Sequence, residues 1–138
     1  MSMKVLELTA PSQFAVTEKP KPQPKADEVL IKVACCGICG SDVHGMDNSS
    51  GRRIPPMVMG HEASGVIEEV GGEVADWSVG DQVSFDSMVF CGECDHCERG
   101  ETNLCRERQV MGVSCDEFKR DGAFAEWVVV PARILERM

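Results

Sequence analysis

Cys91, Cys94, Cys97 and Cys105 stand in the pattern C-x2-C-x2-C-x7-C, and four thiols this close together tie one short stretch of chain into a knot. Three of them are separated by two residues each and the fourth returns after one loop, so together they can close a tetrahedral sulfur cage around a single ion. Thiolates are soft ligands and a four-sulfur tetrahedron suits the d10 ion zinc. Four protein ligands leave no open position, which makes such a zinc structural. The alternatives are an iron–sulfur cluster, which also uses four cysteines, or thiols that are free or paired. Disulfide pairing is awkward at spacings this tight.

A chain of 138 residues is one domain, large enough to bury a core. No apolar run approaches the roughly 20 residues needed to span a bilayer, and the start, Met1 to Glu7, lacks the apolar stretch of a secretory signal. Eight cysteines without such a signal are expected in a reducing compartment, the cytoplasm. A formal net charge of −9 argues against nucleic acid or an anionic membrane as a partner.

Around the cysteines the pattern is that of short strands. Val5 to Leu8 and Phe14 to Glu18 alternate in part, and Val29 to Cys35 reads as a mostly buried strand. Between them Pro20 to Lys25 is expected to be an extended loop, because its prolines offer no amide donor. Ser41 to Gly45 predicts a short helix capped by Ser41 or Asp42. Arg52 to Pro56 predicts a loop, with Arg52 and Arg53 solvated. Ala63 to Val70 is a strand ended by Gly71-Gly72, Val79-Gly80-Asp81 turns into a strand over Gln82 to Phe85, and Ala123 to Val130 is a strand stopped by Pro131. Many short strands, frequent Gly and Pro, and no long amphipathic helix predict a mainly β barrel with short helices and a small lobe over residues 91–105.

A second constellation is spread along the chain. His61, in Gly60-His61-Glu62, is one of three histidines, and Cys39 precedes Ser41 and His44 within Cys39-Gly40-Ser41-Asp42-Val43-His44. A cysteine and a histidine from separate segments can supply two ligands to one zinc, and a catalytic zinc takes three protein ligands and keeps one position open. The Ser41 hydroxyl and the His44 imidazole could pass a proton to solvent. Cys36 with Cys39 also spells the C-x2-C of a redox dithiol. Cys35 and Cys115 are expected to be unligated thiols, Asp42 and Asp47 cap or loop residues, His96 solvated, and Trp77 and Trp127 packing residues.

Cys36 to His44, Pro56 to Gly65 and Cys91 to Cys105, in that order, resemble the medium-chain zinc-dependent alcohol dehydrogenases. The resemblance covers the chain to Pro131 and concerns the front of that family's chain, its GroES-like catalytic domain. It implies that Cys39 and His61 are catalytic zinc ligands with Glu62 an acidic neighbour able to approach the metal. It implies further that Ser41 bonds the substrate oxygen and takes its proton, that His44 continues the relay, and that Cys91, Cys94, Cys97 and Cys105 hold the structural zinc. The implied reaction is oxidation of a secondary alcohol or polyol by hydride transfer to NAD or NADP, with zinc as Lewis acid. The wording of Pro56 to Gly65 is nearest the sorbitol-type branch, with threonine dehydrogenase close by.

No glycine-rich dinucleotide fingerprint and no βαβ alternation is present, so the nicotinamide-binding domain is expected beyond residues 1–138, along with the third catalytic ligand. The isolated chain is therefore expected to lack dehydrogenase activity, to hold one zinc tightly and a second one weakly, and to belong to a homo-oligomer when full-length. Two other classes remain: a stand-alone zinc-stabilised β module that binds a partner without catalysis, and a chaperonin-cofactor-like protein suggested by barrel architecture alone.

Overall fold

The computed structural model describes residues 1–115 and 118–138, with Cys115 described by its backbone alone, so the expectation for the Cys115 thiol lies outside the described residues. The chain opens with a hairpin, β1 (Ser2–Ala10) and β2 (Gln13–Pro20), paired from Ser2↔Pro20 to Ala10↔Gln13. After the Pro-rich connection comes β3 (Glu28–Cys36), followed by a six-residue helix α1 (Gly40–Gly45). A loop leads to β4 (Met57–Val58), which adds to the free side of β1, and then to β5 (Ala63–Val70) and β6 (Gln82–Phe85). The cysteine lobe follows, bracketed by β7 (Met88–Val89) and β8 (Gln109–Val110) and carrying the short helix α2 (Asp95–Glu98). A hairpin of β9 (Val113–Cys115) and β10 (Phe118–Arg120), then β11 (Trp127–Pro131) and β12 (Leu135–Arg137), complete the chain.

The larger sheet has the order β11-β3-β5-β6-β12, all antiparallel. Its strands bury alternate residues as a pleated strand must: in β5, Ala63, Gly65 and Ile67 face inward while Val66 is exposed. Val29, Ile31, Ile67, Val83, Val128 and Val130 build the main core beneath it. The smaller sheet, β2-β1-β4, closes a second cluster of Leu8, Met57 and Met59, all fully buried. Residues 122–126 join the sheets. Gly122 and Phe124 donate to the carbonyls of Val58 and Met59, at 2.8 and 2.9 Å, while Phe124 accepts from the Leu6 amide at 2.8 Å. A mainly β fold with short helices is thus what the chain adopts.

Four local expectations need correction. The last strand begins at Trp127 rather than Ala123, because residues 123–126 spend their amides and carbonyls on three different neighbours instead of one ladder. Pro131 does not stop it: β11 is an edge strand, where a residue without an amide can pair, and Pro131 lies opposite Glu28. Burial of β3 is confined to Val29–Ile31, and Cys35 is exposed. The cap of α1 is Cys39, not Ser41 or Asp42. The Asp42 carboxylate, three residues on, accepts the Cys39 amide at 3.1 Å in the manner of a capping box.

Candidate metal centres

The register of β3 against β5 builds one end of the larger sheet. Cys36 pairs with Ala63, and the Gly37 amide continues the ladder to the Glu62 carbonyl at 2.7 Å. Cys39 leaves β3 three residues past that pair and His61-Glu62 enter β5 just before it, so the two segments meet. The ligand atoms of Cys39, His61 and Glu62 lie within 4.8 Å of one another. Gly60 brings the chain into β5 with a positive φ of 98°, and its buried backbone leaves no room for a side chain.

Charged residues lie behind these donors. Asp42, 3% exposed, takes the Cys39 amide on Oδ2 and places Oδ1 3.4 Å from His61 Nδ1 and 3.3 Å from Arg53 Nη2. His61 Nδ1 is buried and has no aligned hydrogen-bond partner among the described residues. Its other nitrogen, Nε2, is 3.4 Å from Ser41 Oγ. Ser41 is held by His61 and Arg53, and His44 lies one turn further along α1, exposed. Burial pushes the thiol of Cys36, half-buried beside Cys39, up from its ordinary value. The Cys35 thiol turns the other way and meets Ser64 Oγ at 3.2 Å. An open cleft of about 440 Å3 runs past His61 and Glu62 between Ser64, Ser84 and Ser87. An apolar cavity of about 310 Å3 near Val5, Val58 and Val128 shares no residue with these donors.

Sequence reading placed Arg53 in solvent and Asp42 in an ordinary cap; both are buried, and they form an ion pair. Burial of a charge depends on what the fold sets opposite it, and that partner is eleven residues away. The spacing of Asp42 three residues after Cys39 was the one local signal available for it.

In the lobe, the sulfurs of Cys91, Cys94, Cys97 and Cys105 also lie within 4.8 Å of one another. Zinc–sulfur bonds of about 2.3 Å in a regular tetrahedron give sulfur–sulfur edges of about 3.8 Å. The Cys91–Cys97 and Cys94–Cys97 separations are 3.9 and 3.6 Å, so the cage fits zinc. Backbone amides point at the sulfurs: Cys91 N–H at Cys105 Sγ (3.3 Å), Glu93 and Cys94 N–H at Cys91 Sγ (3.4 Å each). The amides of Arg106 and Cys97 bring the Cys94 thiol down to about 6, whereas burial pushes Cys97 up to about 12. Amides aimed at the sulfurs favour the thiolate form, in which a cage of this size holds a cation. His96, expected in solvent, is half-buried, with Nδ1 3.0 Å from Glu101 Oε2.

Residues 25–138 match the alcohol dehydrogenase GroES-like domain, and the chain belongs to that family, the catalytic-domain front of the medium-chain zinc-dependent alcohol dehydrogenases. It is 42% identical over 134 residues to the L-threonine 3-dehydrogenase of Shewanella woodyi, covering 94% of this chain and 38% of that protein. Among solved structures it resembles an alcohol dehydrogenase of Escherichia coli CFT073 complexed with NADH (38% identity, TM-score 0.85, 99% of this chain and 38% of that one). It also resembles a cobalt- and zinc-bound thermostable alcohol dehydrogenase of Pyrobaculum aerophilum (28% identity, TM-score 0.86, 99% and 41%). The chain thus spans about two-fifths of the length of the relatives it matches. Among the described residues no helix is long and apolar enough to cross a membrane.

Proposed function

We propose that this chain is the catalytic-domain part of a zinc-dependent oxidoreductase that oxidises a secondary alcohol or polyol by hydride transfer to NAD or NADP. The observation that carries the reading is the meeting of Cys39, His61 and Glu62 at one sheet end, in a chain whose other metal cluster is already a complete four-sulfur cage. Two of these donors are a thiol and an imidazole, the set that suits a zinc kept accessible to substrate.

In this reading Cys91, Cys94, Cys97 and Cys105 hold a structural zinc, and Cys39 and His61, with Glu62 beside them, hold the catalytic one. There, zinc supplies Lewis acidity toward a substrate oxygen. Asp42 faces His61 Nδ1, which favours the tautomer whose free lone pair is on Nε2, the nitrogen on the Ser41 side. The Ser41 hydroxyl would take the substrate proton as it gives up its own to the relay, and His44, exposed one turn away, would hand a proton to solvent. The cofactor's binding domain, a homo-oligomeric assembly and a cytoplasmic location complete the proposal.

The test is zinc content per chain before and after mild chelation, in the wild type and in Cys39→Ser. The expected result is about one resistant zinc in both proteins and a labile fraction only in the wild type. A labile zinc that survives Cys39→Ser would overturn the catalytic assignment and leave a zinc-stabilised binding module.

A further inference from the structure

Arg53 is the one charged side chain of the loop between α1 and β4 that is taken out of water, at 4% exposure. Its Nη2 lies 3.3 Å from Ser41 Oγ and 3.3 Å from Asp42 Oδ1, and its Nη1 donates to the Arg52 carbonyl at 3.3 Å. The stem is pinned from the helix side: a Cβ on Gly45 would stand 2.8 Å from Arg53 Cγ. Burying a guanidinium is costly unless it is paired, and simple stability is better served by an apolar side chain of similar size. The pair lies outside both hydrophobic clusters. It sits instead behind Cys39 and His61, where Asp42 contacts the amide of one and the ring of the other.

We propose that Arg53 is a positioning residue for the Cys39–His61–Glu62 centre, fixing Asp42 and Ser41 in one arrangement so that the imidazole and the hydroxyl keep their aim. The inference rests on the reading that this centre holds a metal. Asp42 has one oxygen committed to the Cys39 amide and the other between Arg53 and His61. Arg53 can only donate, so it occupies a lone pair of Ser41 and leaves that hydroxyl's own hydrogen for the lone pair of His61 Nε2, 3.4 Å away. Without the guanidinium, the carboxylate can turn about its Cβ–Cγ bond, and both the His61 ring and the Ser41 rotamer lose their reference point. A lysine keeps the charge but replaces the planar fork with a single point donor.

Cobalt provides the test, with the four-cysteine lobe of the same chain as the internal control. After mild chelation that leaves the lobe its zinc, the chain is titrated with Co2+ and the thiolate charge-transfer and visible bands are read. The absorption that disappears in Cys39→Ser is the signal of this centre. Arg53→Met is expected to weaken Co2+ binding about tenfold to a hundredfold, the usual loss when a partner of a ligand is removed, and to change the visible bands. Zinc in the lobe stays the same. Arg53→Lys recovers part of the affinity. Binding by Arg53→Met within about twofold of wild type, with an unchanged spectrum, overturns the proposal while leaving the metal reading intact. Absence of any Cys39-dependent band in the wild type overturns the metal reading and the proposal with it. If Arg53→Met also loses the lobe's zinc, Gly45→Ala decides, since it displaces the Arg53 stem without altering a charge. Weaker cobalt binding with the lobe intact then supports the proposal, and unchanged binding ends it.

Discussion

Replacing Gly60 with alanine adds one methyl group where the fold has no space for it. The new carbon would lie 2.7 Å from Phe124 Cδ1, 2.8 Å from the Phe124 amide nitrogen and 2.9 Å from Cys36 Sγ. The Phe124 ring can give way, but the amide cannot without breaking its 2.9 Å bond to the Met59 carbonyl, and the neighbouring Ala123 amide is tied to Gly60 itself at 2.9 Å. The φ of 98° adds about 1–2 kcal/mol of backbone strain for any residue with a Cβ. Overpacking adds about 1–3 kcal/mol more. The expected loss is therefore about 3 kcal/mol, which lowers a urea midpoint by roughly 1.5 M for a slope of about 2 kcal/mol/M. Gly40→Ala is the matched control. It makes the same chemical change beside the same centre, but with nothing within 4 Å and in the first turn of α1, and is expected to be neutral or slightly stabilising. If Gly60→Ala unfolds within about 0.5 kcal/mol of wild type, the claim that backbone contact fixes this approach to His61 is wrong.

Leu8→Ala empties a site with no exposure in the small Leu8–Met57–Met59 cluster and should cost about 3 kcal/mol, measured by denaturant unfolding. Cys105→Ser, which removes the fully buried sulfur of the lobe, is expected to abolish the chelator-resistant zinc. Amide exchange should then speed up over residues 91–105 while β3 and β5 keep their protection. Glu7 accepts from Lys19 at 3.0 Å, and this bond holds its carboxyl below the ordinary 4.5. A depressed folded value means that its contribution is present above pH 4.5 and lost as the pH falls through the folded value. Lys19→Met should flatten that part of the stability–pH curve, and an unchanged acid limb would show the bond contributes nothing.

What could be read before folding was whatever is written locally. The four lobe cysteines fall within fifteen residues, and β5 is framed by alternation and by Gly71-Gly72, so both came out where they were expected. Residues 122–126 look like strand by composition, yet each reaches a different partner, and only the three-dimensional path reveals that. Arg53 was misread for a related reason. Two adjacent arginines in a loop of glycine, serine and proline look solvated, and nothing nearby in the chain announces that Asp42 and Gly45 will roof one of them. The pairing of Cys39 with His61 was suggested by their residue types and made specific by the family resemblance; its physical cause is the Cys36↔Ala63 pair.

That pairing also sets an order of events. The lobe's donors are neighbours in the chain, so the knot can tighten around an ion while the rest is still a coil, at the modest entropic cost of a short loop. Cys39 and His61 come together only once β3 has paired with β5, because the Cys36↔Ala63 pair is what sets them side by side. On the two-zinc reading, the first metal is a participant in folding and the second is a witness to its completion. A nascent or damaged chain starved of native register would thus carry its structural ion and still offer no site for chemistry.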